Sequence, residues 1–230
     1  MKRRQTLLIL LIFAAAMALL EAAVVIYMRR LFYPENPLDL FPLTFLGSYD
    51  PILELARELS TIVMLGTVAL LAERSSLNRS FAAFVFVFGV WDILYYAWLK
   101  ALLGWPRELL EWDVLFLVPS IWLGPWICPA LIALMFVAWG TPMLLSQSEH
   151  TLTKKGFLTF TIGAIGGLVT FLQPAVPIWW EGGTTNLMAY RPGNFWWWLF
   201  IPSYMVMAIG LGSCFWCEKT QGAASPKLDN

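Results

Sequence analysis

Six stretches of the chain stay apolar for about 20 residues, the length that crosses a bilayer as a helix. They run over 6–28, 52–72, 81–103, 113–139, 157–179 and 195–217. The pattern predicts an all-α fold: a polytopic integral membrane bundle of about six transmembrane helices, one domain over 1–217, with a polar tail over 218–230. The second stretch is interrupted near its start by Glu54, Arg57 and Glu58. A span that began at Leu59 would have only about 14 residues, too few to cross. Those three charges are therefore expected inside the helix.

The first stretch also fits a signal peptide, because basic MKRRQ precedes an apolar run with an A-x-A sequence at Ala16 to Ala18. The run continues through Glu21 to Met28, which is long for such a leader and right for a span. The fourth stretch, VPSIWLGPWICPA, holds Pro119, Gly124, Pro125 and Pro129. Each proline deletes a backbone N–H, so a kinked or locally unwound helix is expected there. Gly163 and Gly167 stand at GxxxG spacing in the fifth stretch and predict close helix packing.

Composition reinforces the membrane reading. The chain is 59% hydrophobic and 13% charged, against roughly 25% charged residues in soluble domains. Its 13 Trp suit two membrane–water interfaces, with Trp196 to Trp198 as an anchor at one of them. Net charge is zero, which gives no footprint for nucleic acid. With the amino terminus inside, nine Lys and Arg fall on inner segments and six on or near outer ones, favouring an N-in, C-in arrangement. The bilayer of a bacterial inner membrane is the expected location, with membrane-protein partners or a homo-oligomer as possible company. The outer segments hold most of the Pro, Gly and Trp, which marks that side as the working face.

Charge inside apolar stretches carries the functional signal. Asp92 lies near the middle of the third span, in FGVWDILYYAWLK. At about 100° per residue, Tyr96 and Lys100 follow on the same side, one and two turns further out. An ionised Asp facing lipid there would cost about 2.5–3.5 kcal/mol, so it should face other helices or a wet cavity. Glu21 on the first span, Glu54, Arg57 and Glu58 on the second, Tyr96 and Lys100 on the third and Asp113 at the start of the fourth all fall in the outer half. Asp92, Lys100, Glu58, Arg57, Glu21 and Tyr96 are the candidate ligand- or ion-binding residues. Read as a purely structural network, the same charges should join helices by pairing Arg57 with Asp92 and Lys100 with Glu58. Glu54 and Asp113, nearer the interface, are explained by solvation or by capping a helix N-terminus.

Other motifs carry less. The Cys214–Cys217 CxxC resembles the redox pair of membrane disulfide oxidoreductases of the vitamin K epoxide reductase kind, over four residues. It falls on the reducing side, and Cys128 is the only other cysteine, so no second pair completes the relay. His150 is the only histidine, which disfavours bis-His haem and multi-His metal centres. His150 with both cysteines gives three ligands where structural zinc takes four. No metal site is expected, and the pattern leaves the cofactor undefined. Three functions fit this pattern: binding or transport of a small molecule, ion or proton; acid–base catalysis on a lipid or isoprenoid; and a non-catalytic subunit or assembly role.

Overall fold

The computed structural model describes residues 3–43, 50–74, 76–118, 120–146, 153–176 and 190–213. The polar tail, His150, Cys214 and Cys217 lie outside the described residues. The chain is mostly helical. The helices are α1 (Arg3–Phe32), α2 (Asp50–Ala72), α3 (Leu77–Leu103), α4 (Ile127–Leu145), α5 (Lys154–Leu172) and α6 (Trp197–Gly212). Between α3 and α4 stands an antiparallel hairpin of β1 (Trp112–Phe116) and β2 (Trp122–Pro125). Among the described residues five helices are long and apolar enough to cross a membrane, and α6, at 16 residues, is shorter. Their outward faces carry Leu8, Ile9, Ile12 and Leu20 on α1, and Phe157, Leu158, Ile162 and Ile165 on α5, all exposed. Apolar surface on that scale is rare on a monomer in water and compatible with an integral membrane location.

Small residues decide which helices touch. Ala14 and Ala18 on α1 are fully buried in the core cluster that α1 shares with α3. With so little bulk there, the two backbones come close. Gly89 on α3 faces the Ala133 carbonyl of α4, and an added Cβ would lie 2.6 Å from that oxygen. On α5, a Cβ at Gly163 would lie 2.6 Å from Met207 N and 2.7 Å from Ser203 O of α6. The expected close packing of the fifth span is thus found against α6. At the end of α3, Gly104 takes φ 82° and returns its N–H to Lys100 O at 3.1 Å, a left-handed cap that favours glycine.

The predicted fourth span over 113–139 is corrected. Its first part is the hairpin, and the helix is displaced to Ile127–Leu145. The fold is therefore helical with a β-hairpin, rather than wholly α. Backbone N–H and C=O groups of this aromatic segment pair across the strands, with Asp113 opposite Gly124 and Val114 opposite Leu123. Pro125 closes β2, and Pro129 sits in the first turn of α4, where its missing N–H has no intrahelical acceptor to lose. An apolar run alone does not separate a buried strand from a buried helix. Asp113 accordingly belongs to a strand and caps no helix.

Gly163→Val is expected to lower stability by about 1–3 kcal/mol through overpacking against α6. Gly66→Ala, where an added Cβ meets nothing within 4 Å, is expected to be neutral or slightly stabilising. Thermal unfolding of the purified, detergent-solubilised protein measures both; equal loss in the two variants would contradict the packing account.

Candidate functional site: a carboxylate-rich cleft under the hairpin

A cleft of about 160 Å³ lies where α1, α2 and α3 meet the hairpin, with Leu40 and Leu43 of the segment after α1 on its wall. Residue spacing explains the supply of side chains. Trp91, Asp92, Tyr95 and Tyr96 recur at i, i+1, i+4 and i+5 and form one strip of α3. Glu54, Arg57 and Glu58 do the same near the start of α2. Asp113, Val114, Leu115, Phe116 and Leu117 all reach the cleft, where regular alternation would supply every second side chain. The register shift between Val114 and Phe116 breaks that alternation.

Two guanidiniums pair with three of the five carboxyls on the cleft walls. Arg29, in the last turn of α1, places Nη2 3.1 Å from Asp113 Oδ1. Its guanidinium lies 4.0 Å from the centre of the Trp105 ring, a cation–π contact. Tyr96 donates its hydroxyl to Asp113 Oδ2 at 3.3 Å. Burial pushes the Asp113 carboxyl up to about 6, and Arg29 is the strongest influence in the other direction. Arg57 contacts Glu21 and donates to Glu54 Oε2 at 2.7 Å and 2.9 Å through Nη2 and Nε. The Thr61 hydroxyl lies 3.2 Å from Glu21 Oε2. Glu58 Oε2 accepts the Leu117 backbone N–H at 2.7 Å, which ties α2 to the hairpin.

Asp92 is different. It lines the cleft, is buried to 8% exposure, and its Oδ2 has no hydrogen-bond partner. Two buried donors on the same walls are also unsatisfied, Arg29 Nη1 and Trp91 Nε1. Buried polar atoms normally find partners, so Asp92 Oδ2, Arg29 Nη1 and Trp91 Nε1, on three residues that line the cleft, are exceptions that single this region out.

Of the residues singled out from sequence, Glu21, Arg57, Glu58, Asp92 and Tyr96 line this cleft, and Glu54 and Asp113 join them. Lys100 does not. It is exposed, donates to Pro106 O at 2.6 Å, and lines a separate cleft with Arg107, Trp126 and the far side of Tyr96. The expected Lys100–Glu58 pair is replaced by this contact, because a lysine in the last turn of a helix is drawn to the carbonyls there. The expected Arg57–Asp92 pair is likewise replaced, since Glu54 lies one turn away on the same helix. Arg29, Trp91 and Tyr95 were not singled out. For Arg29 the available signal was its place two turns beyond Glu21 on α1; for the aromatics it was their adjacency to Asp92.

Among the described residues no three His, Cys, Asp or Glu side chains converge as metal ligands.

Arg29→Met is expected to cost about 3–5 kcal/mol, because it leaves Asp113 buried and unpaired. Adding Asp113→Leu should recover a large part of that loss, while Lys100→Met should stay within about 1 kcal/mol of the parent. Denaturant midpoints in detergent check all three, and a double variant no more stable than Arg29→Met would refute the pairing argument. Comparison with family models, curated proteins and solved structures finds no match for this chain.

Proposed function

We propose that the chain is a multi-pass membrane protein whose carboxylate-rich cleft binds, and carries across the bilayer, a proton or a small polar ligand. The observation that carries this reading is Asp92: a buried carboxylate with an unpartnered oxygen on the wall of a void. An acid at mid-span is costly, and ionisable groups at such depth characteristically serve ion, proton or substrate pathways. A purely structural network would leave Asp92 paired, as Asp113 is with Arg29.

Lysine and arginine counts favour the amino terminus inside, which sets the cleft in the outer half of the bilayer and the hairpin at its outer rim. The ligand then approaches from the outer side, past Leu40, Leu43 and the hairpin. Glu58 and Asp92 serve as proton acceptors, Tyr96 as a hydrogen-bond donor, and Arg57 holds Glu21 and Glu54 in place.

Proteoliposomes containing a pH-sensitive dye test the reading. A stepped pH gradient should collapse at least tenfold faster with the wild-type protein than in empty vesicles, and Asp92→Asn should return the rate to the empty-vesicle value. Collapse that is equally fast in Asp92→Asn, or absent in the wild type both without and with a small polar amine on the opposite side, rules out this carrier role.

A further inference from the structure

Resting on that reading of the cleft, we infer that its ligand is a small protonated amine, seated with its ammonium on Asp92. Three observations define this chemistry.

The first is the charge balance. The walls hold five carboxyls, Glu21, Glu54, Glu58, Asp92 and Asp113, against two guanidiniums, Arg29 and Arg57, an excess of three acids. Most of the acids are already engaged. Asp113 is held by Arg29 and Tyr96, Glu21 and Glu54 share Arg57, and Glu58 takes the Leu117 N–H. Asp92 keeps an acceptor atom with no donor. One open carboxylate calls for one positive charge that also brings an N–H. An ammonium supplies both; an anion would meet the acid excess, and a neutral molecule would leave the charge unmatched.

The second is the material of the walls. Trp91 and Tyr95 stack at 6.3 Å between ring centres, and Tyr95 meets Tyr96 edge-on at 5.0 Å. These three rings flank Asp92 on one strip of α3. Aromatic faces attract organic cations through the ring quadrupole. A bare divalent ion would instead need several oxygens at roughly 2.0–2.6 Å, and no three acids converge in that way among the described residues.

The third is size. A cavity of about 150 Å³ accommodates benzene, and this cleft measures about 160 Å³. The ligand is thus an amine of about six non-hydrogen atoms. Arg29 Nη1 and Trp91 Nε1, the two unsatisfied donors, would be met by an acceptor such as a hydroxyl on the same molecule.

Calorimetric titration of the full chain in lipid nanodiscs, corrected with empty discs, tests this with three water-soluble isosteres: aminobutanol, butanediol and hydroxybutyrate. The amine is expected to bind at least tenfold tighter than the diol, with no heat from the acid, and Asp92→Asn should abolish the preference. The wild-type comparison stands by itself if that variant fails to fold. Equal binding of amine and diol, or tighter binding of the acid, overturns the amine assignment and leaves the cleft as a site for another ligand. If none of the three binds, the amine assignment fails, and proton flux decides the carrier reading separately.

Discussion

The Arg29–Asp113 ion pair is the contact on which the cleft depends. Removing two charges from water costs several kcal/mol each, and only close geometry with additional partners repays it. Here each partner comes from a different element. Arg29 is offered by the last turn of α1, where a cation also suits the helix C-terminus. Asp113 comes from β1, the Tyr96 hydroxyl from α3, and the Trp105 ring from the segment just beyond α3. Four pieces of chain are thereby held at one point, and that point forms one end of the cleft. Glu58 fixes the other end of the hairpin to α2. The hairpin is thus held by two carboxylates that belong to the same acidic set as the site beneath it.

Packing explains why the void lies where it does. Along the lower part of α1, Leu10, Ala14 and Ala18 are fully buried in the apolar cluster shared with α3. Glu21 is the first large polar residue on that face, and the cleft begins beside it. The α5–α6 pair stands back from the cleft and braces the hairpin from behind. Gly124 of β2 admits the rings of Phe171 and Phe195 close to its backbone, and Trp122 stacks on Phe171 at 5.9 Å. The bundle thus divides its labour: α1, α2 and α3 supply charge, while α5 and α6 support the hairpin that covers it.

Much of this was legible before any coordinates. The predicted first, second and third spans match helices to within about four residues, because long apolar runs of that length have few alternatives, while the helix of the fifth starts three residues before 157 and ends at Leu172, short of 179. The common depth of Glu21, Arg57, Glu58, Asp92 and Tyr96 was visible from helical spacing alone, and all five line one cleft. The hairpin was not legible. Hydropathy gives the same value to a buried strand and a buried helix, and the prolines were compatible with a kink as well as with a strand end. Pairing was illegible for a different reason. Arg57 had Glu54 within one turn and Lys100 had carbonyls at its own helix end, whereas the partner Arg57 takes from another helix, Glu21 rather than Asp92, depends on how the helices rotate. Arg29 was counted with the surface charges because its partner, Asp113, is 84 residues away.

The charge balance limits what the cleft can do. A carboxylate withdrawn from water has two ways to be stable: it takes up a proton, or it is matched by a cation that also gives a hydrogen bond. Asp113 takes the second way with Arg29, and Glu21 and Glu54 take it together with Arg57. Among the described residues Asp92 has no cation of its own. On the reading proposed above, proton and ligand ammonium would compete for the same carboxylate: binding an amine at Asp92 would displace a proton, and protonating Asp92 would release the amine, an exchange that needs only one open carboxylate. The remaining acids outnumber the two arginines on the cleft walls, so their field favours either cation over an anion.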